Sequence, residues 1–253
     1  SIVTLKDTVV QTQSYVDRLN AKALDGYLKN ATVFSDTNGD GVLSPGESSA
    51  ITDESGNFTL YNAKGNIVCS GGIDLSTNKP FLGTLIAPNG SEFVTPLTTL
   101  QQGFINAGKT YDEAKETIAK TLGVDTSIDL TNYDPIAELV KSNSTTKDAV
   151  TTKLVASSAQ IANFLVTTSQ FLQGAAEGAE NLSTKNASDV LIKSLVSNIS
   201  KNQVNSGINK LDLADTKLLK NTIIDAAKEA NLIIQKITAV SYTHLTLPTI
   251  LLV

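Results

Sequence analysis

At Val94-Thr95-Pro96 the hydrophobic pattern of the chain changes from short alternating runs to helical spacing. Thr95 is a good N-cap, and Pro96 suits the first helical position because its missing N–H would have no partner there. Before this point, apolar and polar residues alternate, which is typical of half-buried strands. After it, apolar residues recur with the period of one helix face. We therefore expect a segregated α+β fold, in which a small antiparallel β-sandwich is followed by an all-α helical bundle.

The β region is predicted to cover residues 24–93, after a lead-in at residues 1–23. The stretches with strand character are residues 26–34, 48–52, 57–61, 67–70 and 82–87. Asp53-Glu54-Ser55-Gly56 has the length of a hairpin turn, so the second and third stretches are expected to pair. Several short strands separated by turn residues predict a sandwich.

The helical region is predicted to cover residues 94–239. A capping box at residues 110–113 opens a helix that Gly123 should end. Further helices are expected from Asp134-Pro135 to about Lys141, from about residue 146 to 173, and around two later apolar stripes that begin at Ile192 and Leu219. Such narrow stripes are typical of the seam of a bundle. The other interpretation is an exposed stripe that binds a protein partner.

Residues 36–47, Asp-Thr-Asn-Gly-Asp-Gly-Val-Leu-Ser-Pro-Gly-Glu, fill every ligand position of a calcium-binding loop. Such a loop takes oxygen ligands from positions 1, 3, 5, 7, 9 and 12 and needs glycine at position 6 for a sharp turn. The candidate metal ligands are Asp36, Asn38, Asp40, the Val42 carbonyl, Ser44 and Glu47. Gly41 supplies the turn, and Leu43 is expected to attach the loop to the core. The alternative is an Asp/Asn/Gly-rich surface turn that holds no cation.

The composition argues against several functions. The chain has 25 acidic and 20 basic residues, with Arg18 as its one arginine, whereas nucleic-acid binding needs clustered basic residues. Cys69 is the one cysteine, so no disulfide forms within the chain, and we expect a buried thiol rather than a reactive one. No phosphate-binding loop and no apolar run of membrane-spanning length is present.

Residues 240–249, Val-Ser-Tyr-Thr-His-Leu-Thr-Leu-Pro-Thr, resemble the in-frame translation of a transposase sequencing adapter. We therefore interpret residues 240–253 as a non-native tail; the alternative is a C-terminal strand. The one histidine, His244, lies in this tail, and without it no Ser/His/Asp or Cys/His site can form. The sequence contains no Met and begins at Ser1, so we expect it to be part of a longer chain with further domains.

The β region resembles modules of bacterial surface proteins. The resemblance is carried by Asp25-Gly26-Tyr27, Ala31-Thr32-Val33-Phe34, the 36–47 loop and Thr52-Asp53…Gly56-Asn57-Phe58. It is to transthyretin-like, carboxypeptidase-regulatory domains and to the B-type repeats of serine–aspartate adhesins. It implies a small sandwich with calcium bound at Asp36, Asn38, Asp40, Val42, Ser44 and Glu47. B-type repeats tend to carry further calcium sites, whereas this chain has one complete loop. The continuation to Leu100 is similar to large secreted adhesins of aquatic bacteria, in which a helical segment follows.

The expected function is therefore that of a non-enzymatic module, structural or adhesive and stabilised by Ca²⁺, in a large secreted or cell-surface bacterial protein. Its partner would be a surface, a protein or a glycan, and no nucleic acid. The alternative is an accessory carbohydrate-binding or spacer region of an extracellular polysaccharide-active enzyme. Tyr27, Tyr61 and Phe81 are the candidate stacking residues for that role. In either case the loop lies between strands, so a switch that swings paired helices apart is not expected.

Overall fold

The computed structural model describes residues 17–141, 145–175, 182–206 and 215–230. Residues 1–16 of the predicted lead-in and the whole predicted tail lie outside them. The strands are β1 (Arg18–Ala23), β2 (Leu28–Lys29), β3 (Thr32–Asp36), β4 (Ser49–Ile51), β5 (Asn57–Tyr61), β6 (Asn66–Ser70), β7 (Ile73–Asp74), β8 (Lys79–Pro80), β9 (Thr84–Ala87) and β10 (Phe93–Val94). The helices are α1 (Pro96–Asn106), α2 (Tyr111–Leu122), α3 (Pro135–Lys141), α4 (Thr145–Ala175), α5 (Thr184–Ser206) and α6 (Thr216–Glu229).

The strands form three small sheets, in the orders β10-β1-β5, β4-β3-β6-β9 and β2-β7-β8. All described pairs are antiparallel except β1 with β10. The sheets β10-β1-β5 and β4-β3-β6-β9 share one hydrophobic core. Leu60 and Phe58 enter this core from β5, and Val33 and Ile67 enter it from the other sheet. Strands followed by helices confirm the α+β prediction.

Two strand predictions were wrong, and the expected lead-in contains a strand. Residues 26–34 do not form one strand, because Tyr27 (φ 59°) and Asn30 (φ 55°) take left-handed conformations that divide the stretch into a turn, β2 and β3. Asn visits this conformation more readily than most residues, since its side chain can hydrogen-bond locally. Residues 18–23, expected in the lead-in, form β1, the central strand of its sheet. Finally, β4 and β5 do not pair with each other.

The turn at residues 52–56 explains why β4 and β5 lie in different sheets. Thr52 stays with the first sheet, since its N–H donates to the Ala31 carbonyl and its hydroxyl accepts the Ala31 N–H. Asp53 Oδ1 then accepts the N–H groups of Ser55 and Asn57, each at 2.8 Å, and so reverses the chain. Gly56 has φ 80°, and its carbonyl accepts the Ala23 N–H of the other sheet. The turn therefore carries the chain from one sheet to the other.

The helix ends follow the sequence signals. Thr95 caps α1, with Pro96 in the first turn, and Thr110 with Glu113 forms the capping box of α2. Gly123 ends α2 in the left-handed conformation. The predicted stripes are buried in one core that includes Leu154, Ile161, Leu195 and Ile223, so within the described residues they form an intramolecular bundle. The end of the predicted helical region, residues 231–239, lies outside the described residues.

Helix α1 joins the two parts of the chain. It packs along β9, the edge strand of the larger sheet. Thr99 Oγ1 accepts the N–H of Ile86 at 2.8 Å, and Thr98 Oγ1 donates to the Ile86 carbonyl at 3.1 Å. These hydroxyls satisfy backbone groups that an open sheet edge would leave unpaired. Further along the chain, the Thr131 carbonyl accepts the N–H groups of Glu92 and Phe93.

Cys69 is buried in the middle of β6, as predicted. Burial raises the pKa of its thiol to about 12. Since the thiolate is the reactive form, we expect no reaction with a thiol reagent at about pH 8 in the folded protein and one equivalent after unfolding. Reaction of the folded chain at the rate of a free thiol would contradict this placement.

Asp25, in the turn after β1, should make stability depend on pH. Burial, and second the Asp74 carboxylate, raise its pKa to about 7, whereas in an unfolded chain it ionises near its usual value of 3.8. Between these values the unfolded chain has lost a proton that the folded chain keeps, so folding stability falls as pH rises. We expect Asp25→Asn to raise the melting temperature at pH 8 and to change it little at pH 4. A gain independent of pH, or an equal gain in the exposed control Asp17→Asn, would contradict this.

Candidate metal centre

The candidate metal loop connects β3 to the edge strand β4. Asp36 is the last residue of β3, where its backbone pairs with Asn66 of β6. Its side chain is largely buried, at 7% exposure. The loop then leaves the sheet, and Ser48 returns to it by accepting the Ser35 N–H. The first candidate ligand is therefore fixed by the central part of the sheet, while the others lie in the connection.

Asp36 organises the first half of the loop. Its Oδ1 accepts the Gly39 N–H at 2.9 Å, and its Oδ2 accepts the Gly41 N–H at 2.8 Å. Both glycines are left-handed, with φ 76° and 65°, which side chains with a Cβ rarely adopt. Through these two hydrogen bonds the Asp36 carboxylate holds the chain in a turn, and the turn lies at Gly41, as the sequence predicts.

The middle of the loop is held by its own polar groups. Asn38 Oδ1 accepts the Asp40 N–H at 3.0 Å, and Asn38 Nδ2 donates to Asp40 Oδ2 at 2.9 Å. Asp40 Oδ1 accepts the Val42 N–H at 2.7 Å. The Ser44 hydroxyl donates to the Val42 carbonyl at 3.3 Å. These contacts bring consecutive candidate ligands next to one another.

Glu47 closes the loop. Its Oε1 accepts the N–H and the hydroxyl of Thr37, at 2.8 and 3.1 Å, and its Oε2 accepts the Ser44 N–H at 2.9 Å. Hydrogen bonds from loop N–H groups, that of Ser44 first, lower the pKa of the Glu47 carboxyl below its usual 4.5. Glu47 is therefore ionised at neutral pH and ties the two ends of the loop together.

The donor set is suited to calcium in its chemistry. All six predicted groups offer oxygen, the ligand that this hard cation prefers. An ionised carboxylate has about four acceptor positions, so Asp36 and Asp40 keep capacity for an ion beside the bonds described above. In the described part of the chain, however, no three His, Cys, Asp or Glu side chains converge closely enough to hold a metal. The geometry is that of a hydrogen-bonded turn, and both interpretations of residues 36–47 stay predictions.

The attachment of the loop differs from the sequence prediction. Leu43 was expected to hold the loop on the core, but it is 43% exposed, and its neighbour Val42 is 59% exposed. The loop instead lies against α5, where the Lys185 side chain passes directly over Gly41. Sequence reasoning missed Lys185, because nothing in local spacing relates a helix residue to a distant loop.

The three predicted stacking aromatics do not form a platform. Phe81 is buried in the β core, and Tyr61 is exposed on β5. The Tyr27 ring is covered by Lys22, whose Nζ lies 4.4 Å from the ring centre, and the Tyr27 hydroxyl donates to Asp134 at 3.0 Å. Lys22 and Asp134 also line a shallow groove of about 340 Å³ on this side of the β1 sheet. Two of the polar groups that line this groove, Lys22 and Asp134, therefore already have partners.

Comparisons of the chain with protein-family models, with curated proteins and with solved structures gave no match. The resemblance to transthyretin-like and B-type adhesin modules therefore stays a prediction from sequence. No helix in the described ranges is long and apolar enough to cross a membrane.

Proposed function

We propose that this chain is a calcium-stabilised structural or adhesive module of a large secreted or cell-surface bacterial protein. The observation that carries the proposal is the complete series of oxygen donors at residues 36–47, placed in the connection between two paired strands. The role is non-enzymatic: the module would bind an unidentified surface, protein or glycan, with its fold held by the ion.

The strand that gains most from an ion is β4. It has three residues, lies at the edge of its sheet, and carries an exposed Ile51. Short edge strands have few contacts of their own and depend on their connections. Calcium held between Asp36 and Glu47 would fix the start and the end of the loop, and with them the register of β4 on β3.

Calcium would stabilise the loop by neutralising the repulsion among its carboxylates. Asp36, Asp40 and Glu47 lie within twelve consecutive residues that contain no basic side chain. A dication placed among them neutralises most of this charge, so the ion-bound loop is favoured over the ion-free one. Extracellular modules typically bind calcium at about 10⁻⁴–10⁻³ M. That range matches calcium outside cells, so a module of this kind would be largely loaded with calcium at the proposed secreted or surface location.

An accessory carbohydrate-binding role has less support. It requires exposed aromatic faces for stacking on sugars, and two of the three candidates, Tyr27 and Phe81, are covered or buried. If the chain were a spacer, calcium would stabilise its fold in the same way as in a structural module.

Calcium should raise the melting temperature of the chain through this loop. At about 5 mM calcium and a dissociation constant of about 10⁻⁴ M, ligand linkage stabilises the folded state by about 2 kcal/mol. That corresponds to a rise of roughly 4–8 °C for a chain of this size, measured against EDTA. Glu47→Gln, which keeps the shape but removes a charged ligand, should abolish most of the rise.

The matched control is Glu54→Ala, which removes an exposed carboxylate paired with Lys29 in the same part of the chain. It should keep the full response to calcium, since exposed ion pairs contribute little. A flat response in the wild type, or an equal rise in Glu47→Gln, would refute the calcium assignment and leave a polar turn.

A further inference from the structure

Helix α5 places a basic side chain on the candidate metal loop. Lys185 lies in the first turn of α5 and is held against Gly41: a Cβ built on that glycine would overlap Lys185 Cε, 2.8 Å from Cδ and 3.1 Å from Nζ. The side chain is only 24% exposed. Gly41 is required for its left-handed backbone (φ 65°), and its missing Cβ leaves the space that the end of the Lys185 side chain fills.

The Lys185 ammonium lies between two sources of negative charge. On its own helix it pairs with Asp189 one turn later, at 2.5 Å between Nζ and Oδ2. On the other side is the loop, which carries three carboxylates and no basic residue of its own. In the absence of an ion, the ammonium therefore places a positive charge directly beside the loop.

We infer that the Lys185 ammonium, which α5 holds beside the 36–47 loop, sets the affinity of that loop for a cation by lowering it. The ammonium stabilises the ion-free loop and is repelled by a dication in the loop, so the lysine and calcium oppose each other. Asp189 moderates this effect by drawing the ammonium toward α5. The inference rests on the proposed calcium function and adds a residue from the helical part to that site.

Thermodynamic linkage makes the coupling reciprocal. If Lys185 weakens calcium binding, calcium must weaken the packing of the first turn of α5 on the loop by the same factor. Ion binding in the β part would then weaken the packing of α5 on the loop, and the Lys185 side chain would transmit this effect. This coupling is electrostatic and partly exposed, so it should shrink as ionic strength rises.

Calorimetric calcium titrations of the full chain at low salt would test the inference. Lys185→Gln should tighten binding by at least about fivefold, because a unit charge roughly 9 Å from a dication repels it by about that factor at the dielectric constant of water, and by more at a protein surface. Asp189→Asn should weaken binding, because it frees the ammonium and removes a nearby negative charge. Lys193→Gln is the matched control: it removes another lysine of α5, one paired with Glu229 and away from the loop, and should leave binding unchanged.

The outcomes separate the inference from the proposed function. Calcium binding by the wild type with equal affinity in the Lys185, Asp189 and Lys193 variants would overturn the inference and leave the function standing. No binding by any variant would overturn both. Binding detected only in Lys185→Gln would overturn the proposed function, since the wild-type loop would then hold no calcium, and with it the inference that rests on that function.

Discussion

The double pairing of β3 is the constraint on which the rest of the site depends. This strand pairs with β4 on one side and with β6 on the other, so its last residue, Asp36, is fixed in the sheet before the chain turns outward. The Asp36 carboxylate then accepts hydrogen bonds from the N–H groups of Gly39 and Gly41. The Glu47 carboxylate, at the end of the loop, accepts the N–H of Thr37 near its start. The candidate ligands are thus ordered by a strand in the middle of the β core.

Features encoded by neighbouring residues could be predicted from the sequence. The start of α1 at Thr95-Pro96 and the limits of α2 at Thr110 and Gly123 are local events, in which a side chain or a missing Cβ satisfies the backbone a few residues away. Loop spacing also predicts the six candidate ligands, whose role in binding calcium stays a prediction. The burial of Phe58 and Leu60 also follows, because alternation within β5 reports which side is covered, and Cys69 lies in a short apolar run of β6 that is buried on both sides.

Features that depend on distant partners could not be predicted. The turn at Asp53 has hairpin length, yet Thr52 bonds to Ala31 while Gly56 bonds to Ala23, so the flanking strands join different sheets. Residues 18–23 were assigned to a lead-in, because β1 is defined by its pairing with β5 and β10, which lie far away in the sequence. For the same reason the position of Lys185 beside the loop could not be predicted. The predicted burial of Leu43 was wrong, because an apolar side chain is buried only where another element is available to cover it.

The central claim is that residues 36–47 hold a calcium ion, and a structure of the protein crystallised in millimolar calcium would test it most directly. We expect one peak of anomalous scattering, with Asp36, Asn38, Asp40, the Val42 carbonyl and Glu47 at about 2.3–2.6 Å, and Ser44 bound directly or through water. Glu47 would have exchanged at least one of its hydrogen bonds to Thr37 and Ser44 for the ion. A loop that keeps those bonds and shows no anomalous peak would contradict the account.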